Sequence, residues 1–300
     1  MSRTLPHLLE PYLALPDEAA LVVLTGILGA STNWLVLRYL YSFLKGSASS
    51  SKQQQQQQQQ ITAQDEKEVG VLLVSFLRDF GFWKESAGRL GVDLEGLARK
   101  GRFGFVDGLG GLFSGGGGGG GDGARGGVGA GVGVSSASAG TGRWTISSPV
   151  VAEVGRVLRG AVDDMVAKGG KVVLVVDQLD FLLAAAGGEG GVSGVELREL
   201  LLDLRERTHA AVVTLSADEP LIKAQTTSLE KEHASFVMSL AHEAQTVVGL
   251  RLLDTGTAKD VSGVMRITAG GDDSGPAVEE RELLFHVGGD GGVRVFERGQ

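Results

Sequence analysis

Residues 21–33 read Leu-Val-Val-Leu-Thr-Gly-Ile-Leu-Gly-Ala-Ser-Thr-Asn, a short apolar run that breaks at a glycine and passes into polar residues that start helices well. Leu21 to Thr25 suits a buried strand, and the amphipathic stretch from about Asn33 to Lys45 suits a helix. Strand, glycine-bearing turn and helix, in that order, form the unit that houses phosphate loops, whose turn reads G-x-x-x-x-G-K-[ST]. Here Gly26, Gly29, Ser31 and Thr32 keep the outline, but no lysine is present and the glycine spacing differs. Such a loop offers a triphosphate only backbone amides. Ser31, Thr32 and Asn33 are therefore read first as caps of the following helix.

Outward from this unit the alternation continues. Strand patterns at Val71 to Phe76 and Phe103 to Val106 bracket a helix over about Lys84 to Leu90. Further on come a helix (Pro149 to Ala167), a strand (Val172 to Val176), a helix (Val195 to Thr208) and a strand (Ala211 to Leu215). This is the order of a parallel sheet covered by helices on both faces. The last third differs. A helix near Leu229 to Ala244 precedes Val247 to Leu253, Gly263 to Thr268, Glu282 to Val287 and Val293 to Glu297, and the final two flank Gly288-Gly-Asp-Gly-Gly292, a hairpin turn sequence. The expected fold is α/β: a mainly parallel central sheet closed by C-terminal antiparallel strands, the RecA-like form of the P-loop architecture, with degenerate Walker motifs.

The 48 glycines concentrate in one stretch. Residues 46–66, with Gln53 to Gln60, and 108–142, with Gly115 to Gly121, are too poor in apolar side chains to offset the entropy of ordering them. Both are expected to be disordered inserts in a single domain spanning 1–300, since the pieces on either side are too small to form cores alone.

Candidate chemistry is sparse. The strand ending at Asp177 has the form of a Walker B strand, whose acid would hold Mg²⁺. Gln178 follows it, however, so no base for activating water is at hand, and Asp177 or Asp180 can equally cap a helix starting near Phe181. Ser216-Ala-Asp-Glu219 has capping-box spacing. The histidines (His7, His209, His233, His242, His286) form no metal or triad signature, and His242 is placed beside a packed helix face. There are no cysteines, which removes disulfides, thiolate metal sites and thiol catalysis. No catalytic residue, metal or cofactor is expected. A net charge of −8 opposes broad attraction to nucleic acid. The acidic N-terminus is unlike a secretory signal, and Ala19 to Ala30 is too short to span a bilayer, so a soluble protein is expected.

Several passages together resemble the family of sixth subunits of the Elongator complex, in a form resembling that of filamentous fungi and carrying low-complexity inserts. They are Leu21 to Leu44, Leu72-Leu-Val-Ser-Phe76, Val172-Val-Leu-Val-Val-Asp-Gln-Leu-Asp180, Val261-Ser-Gly-Val-Met-Arg-Ile-Thr268 and, most distinctively, Leu284-Phe-His-Val-Gly-Gly-Asp-Gly-Gly-Val-Arg-Val-Phe-Glu-Arg-Gly299. The resemblance spans the chain outside the inserts and rests on pattern and order, since none of these passages is a catalytic motif. It implies a RecA-like fold without intact Walker motifs. It also implies a hetero-hexameric ring with the fourth and fifth Elongator subunits, docked on the catalytic Elongator core. The ring would bind tRNA and support carbon-5 modification of wobble uridine (U34), in the cytoplasm, with the nucleus as a second expected compartment. This chain would be its scaffold and not an enzyme. Arg251, Arg266, Arg294 and Arg298 are candidates for the few cations that such a subunit lends to tRNA, against simple solvation as surface residues. Two other readings stand beside it: a diverged ATPase using Ser31, Thr32 and Asp177, and a recombination mediator binding single-stranded DNA.

Overall fold

A computed structural model describes residues 5–53, 68–113, 142–186, 191–253 and 258–298, with backbone only for 46–53 and 113. All the described strands join one sheet. In chain order they are β1 (Leu21–Gly26), β2 (Val69–Ser75), β3 (Phe103–Asp107), β4 (Arg143–Thr145), β5 (Lys171–Asp177), β6 (Ala210–Ser216), β7 (Thr246–Arg251), β8 (Gly263–Ala269), β9 (Arg281–Val287) and β10 (Val293–Phe296). Their spatial order is β10-β9-β8-β7-β1-β6-β5-β2-β3-β4. From β7 to β4 the neighbours are parallel, and β7–β8, β8–β9 and β9–β10 are antiparallel. The expected parallel core with an antiparallel C-terminal edge is thus the observed fold, with β7 belonging to the parallel set.

Period-two alternation divides each central strand between two cores. Val22, Leu24, Val173 and Val175 face one layer, made by α1 (Asn33–Gln53), α2 (Phe80–Arg89) and α3 (Leu94–Arg99). Leu21, Val23, Val172, Leu174 and Val176 face the other, made by α5 (Val151–Val166), α6 (Phe181–Ala185), α7 (Gly194–Glu206) and α8 (Ser228–Glu243). Helical spacing supplies the matching stripes: Leu35, Val36, Tyr39, Leu40 and Phe43 on α1, and Val154, Val157, Leu158, Ala161, Val162 and Met165 on α5. Strands buried on both faces explain why the runs read as nearly continuous apolar sequence.

Several boundaries differ from expectation for local reasons. The helix expected from Lys84 begins at Phe80 because the Asp79 carboxylate accepts from the Phe82 amide at 2.8 Å. Asp93 caps α3 in the same way, accepting from Gly96 at 2.9 Å, in a stretch too short for a periodic signal. α1 continues past Lys45 to Gln53, so the Ser/Gln-rich segment starts inside a helix. The Gly-rich segment opens with a helical turn, α4 (Gly110–Phe113), whose start is held by Asp107 accepting from the Leu109 and Gly110 amides. The rest of both expected inserts lies outside the described residues, apart from Gly142. The β9–β10 turn closes as a hairpin, with Gly291 at φ 77° and the Gly288 amide donating to the Gly292 carbonyl at 2.8 Å.

Leu174, on a strand with strands on either side and helices above and below, is fully buried. Leu174→Ala should lower the unfolding free energy in urea by about 2–5 kcal/mol. The same change at the exposed Leu202 should lower it by less than about 1 kcal/mol.

Candidate functional site

The carboxyl ends of the parallel strands β1, β5 and β6 lie side by side, and in a sheet of this kind that edge is where ligands bind. β1 delivers Gly26–Asn33, the stretch that stands where a phosphate loop would be. Its glycines have structural reasons of their own. A Cβ on Gly26 would lie 2.9 Å from the Ala30 carbonyl oxygen. Gly29 has φ of 90° and rests on the Leu252 side chain. The turn is closed on itself by the Ala30 amide donating to Ile27 at 2.8 Å.

Counting from Gly26, the phosphate-loop positions for the second glycine, the lysine and the hydroxyl residue fall on Ser31, Thr32 and Asn33. Thr32 is buried, and its carbonyl accepts from Leu35 and Val36 to start α1. The Ser31 hydroxyl accepts from the Asn33 amide at 3.2 Å. Most informative is the Leu28 amide, which donates to Asp218 Oδ1 at 2.7 Å across 190 residues of chain. Amides at Leu28, Ala30 and Asn33, the kind of group a phosphate loop presents to its anion, are thus satisfied from within the chain. One of them is satisfied by a carboxylate.

The spacing of Ser216 to Glu219 predicts a capping box; the structure assigns these residues otherwise. Asp218 turns to the β1 loop, Glu219 pairs with Lys223 at 2.8 Å, and a π-helical turn follows at Pro220–Ala224 with no side-chain cap. True capping boxes stand at Ser193 with Glu196 and at Thr227 with Glu230.

Asp177, at the end of β5, is fully buried, and both of its oxygens have partners: Ser75 Oγ donates to Oδ2 at 2.8 Å and Thr214 Oγ1 to Oδ1 at 3.1 Å. The carboxylate therefore ties β5 to its two neighbours, β2 and β6. Beside it, Gln178 holds φ of 59°, a left-handed value that a side-chain-bearing residue adopts at some cost. Its amide donates to Thr214 Oγ1 at 2.9 Å and its side-chain oxygen accepts from Ser216 Oγ at 2.8 Å, which fix it there. Asp180 occupies the N-cap position of α6 but makes no side-chain cap bond. Its Oδ2 accepts instead from the Ser216 amide at 3.1 Å and lies 3.0 Å from His233 Nε2 on α8, both side chains being buried. Neither acid caps α6 with its side chain, contrary to one of the two sequence readings. The sequence did not pair His233 with Asp180, because 53 residues separate them and no local pattern joins them.

No group of His, Asp or Glu among the described residues is arranged to hold a metal ion. Of the four arginines singled out above, Arg251 and Arg298 both lie near Glu282, at 3.5 and 3.4 Å, while Arg266 and Arg294 are exposed. No described helix is long and apolar enough to cross a membrane.

Among solved structures, the chain is similar to a KaiC-like protein of the hyperthermophilic archaeon Pyrococcus horikoshii, at a TM-score of 0.54 and 15% identity, covering 99% of this chain and 98% of that one. It is also similar to a second, uncharacterized protein of Pyrococcus horikoshii, solved in complex with an unknown peptide. There the TM-score is 0.56, the identity 10%, and the cover 98% of each chain. No family model and no curated protein matches the chain. Topology and these likenesses together define the class: a RecA-like α/β domain of the P-loop type.

The Asp177 carboxyl is held above the ordinary range. Burial is the largest cause, opposed by the bonds from Ser75 and Thr214 and the charge of Arg78, and aided by the charge of Asp180. A carboxyl raised in the folded state gives stability that is complete below its ordinary pKa and is lost as pH rises through the raised value. Asp177→Asn keeps an acceptor and has no charge to lose. The stability of this variant relative to the unaltered protein should therefore increase as pH rises above about 4. Asp177→Ala, which leaves the Ser75 and Thr214 hydroxyls without their acceptor, should be about 1–3 kcal/mol less stable than Asp177→Asn. Denaturant unfolding across pH measures both.

Proposed function

We propose that this chain is a non-catalytic, pseudo-ATPase scaffold subunit of the Elongator complex. In this reading it joins the fourth and fifth subunits in a hetero-hexameric RecA-like ring that binds tRNA and supports carbon-5 modification of the wobble uridine U34. The family part of the proposal rests on the resemblance of the passages quoted above, above all residues 284–299. The non-catalytic part rests on the loop. The observation that carries it is the Asp218 carboxylate on the Leu28 amide, in a loop that has Thr32 where the phosphate-binding lysine would be.

Bringing a triphosphate to that edge would mean displacing an internal carboxylate and bringing four negative charges near Asp218 with no loop cation to offset them. Asp177, fully buried and bonded to Ser75 and Thr214, is equally ill-placed to hold Mg²⁺. At the same edge the loop tip presents Leu28, 86% exposed, with the exposed Leu252 beneath Gly29. An apolar tip of this kind suits contact with another protein chain better than contact with phosphates. An acidic subunit fits a tRNA-binding ring if it lends only a few cations, and the exposed Arg266 and Arg294 are available for that.

Co-expression with the fourth and fifth Elongator subunits, followed by mass determination by light scattering, tests the proposal. The expected species contains six chains, this one among them. A monomer that stays apart from both partners would overturn the ring assignment.

A further inference from the structure

The first turns of α1, the C-terminal end of α2 and the β9–β10 turn enclose a cleft of about 570 Å³ that shares only Asn33 with the β1 loop. Arg38 lines it, and is 2% exposed. Among the described residues its guanidinium reaches one acceptor, the Gly291 carbonyl, at 3.4 Å from Nη2, and its Nε has no protein partner. No carboxylate of the described residues forms an ion pair with it. A buried guanidinium without a counter-charge loses its hydration with little to offset the loss. Burial accordingly draws its pKa below the usual arginine value, with Tyr41 opposing.

Trp34, one turn earlier, lines the same cleft. Its indole Nε1 also lacks a partner, while its ring is held against Phe285 with centroids 5.2 Å apart. Both side chains are donors with no acceptor capacity, so what each of these buried groups lacks is an acceptor, and for Arg38 a negatively charged one. The remaining lining includes Leu37 and Leu90, which favour an apolar body.

We propose that this cleft binds a carboxylate carried on an apolar body, with the carboxylate paired to Arg38. A single unpaired cation matches a single negative charge. The other arginine of the lining, Arg89, is already bound to Glu85 at 2.6 Å, and Asp290 adds negative charge to the lining, which disfavours a phosphate dianion. The carboxylate could belong to a small organic acid or to the C-terminus of a peptide, and the chemistry at Arg38 is the same for both.

Titration of the intact chain with sodium hexanoate, followed on the Trp34 indole N–H resonance, tests the proposal. A saturable shift with a dissociation constant of about 1 mM is expected, as befits a ligand of this size. Hexanol, which lacks the anion, and inorganic phosphate, which lacks the apolar body, should give no saturation. Arg38→Gln should weaken hexanoate about tenfold or more, and Arg38→Lys should restore part of the loss. A peptide ending in a free leucine carboxylate that binds more tightly than hexanoate, but not when amidated, would support a peptide source. Hexanoate binding more tightly than the peptide would support a small acid. The proposal is overturned if hexanoate fails to saturate at about 50 mM, far above the expected constant. It is equally overturned if phosphate or hexanol saturates as hexanoate does, or if folded Arg38→Gln binds hexanoate unchanged. The comparison of hexanoate, hexanol and phosphate on the unaltered chain decides the matter even if the Arg38 variants do not fold.

Discussion

The burial of β1 between β6 and β7 is the constraint from which the carboxyl edge of the sheet follows. Its residues are covered by strands on both sides and by helices on both faces, so the chain leaving Gly26 has to turn at once into α1 and lie back over the sheet. The turn that does this is tight enough for Gly26 to approach the Ala30 carbonyl and for Gly29 to take a positive φ. Both glycines that resemble a phosphate-loop remnant are thus required by the geometry of the turn, whether or not a nucleotide is ever bound. The loop keeps the outline of a phosphate loop because the sheet needs that connection.

What fills the edge is a set of acids bonded within the protein. Asp177 joins β2, β5 and β6 through two hydroxyls, Asp180 joins the start of α6 to β6 and α8, and Asp218 joins the end of β6 to the β1 loop. Each accepts from a donor on another element of the fold: the Ser75 and Thr214 hydroxyls, the Ser216 amide and the Leu28 amide. In the proposed scaffold role these contacts make the edge a fixed surface. These bonds tie neighbouring strands and helices to one another.

The fold was legible where apolar runs met clear breaks. Strands β1, β5 and β6 and helices α1, α5, α7 and α8 announce themselves because both their faces, or one full stripe, are buried. α3 and β4 were missed: α3 depends on the cap at Asp93, and β4 is a three-residue edge strand whose identity comes from pairing with β3. The absence of a phosphate-binding lysine was readable at Thr32. The carboxylate on the Leu28 amide was not, because Asp218 lies 190 residues away in a stretch with capping-box spacing. His233 and Arg38 were hidden for the same reason: each reads as an ordinary polar position on an amphipathic helix until the fold buries it.

Calorimetric titration of the folded chain with Mg-ATP tests the central proposal, that the β1 loop of this RecA-like domain is closed by internal contacts and takes no nucleotide. No saturable heat is predicted at concentrations up to about 1 mM, for the unaltered chain and for Asp218→Asn alike, because removing the carboxylate does not supply the missing cation. Saturable binding of Mg-ATP with a dissociation constant of about 10 μM or tighter would contradict it.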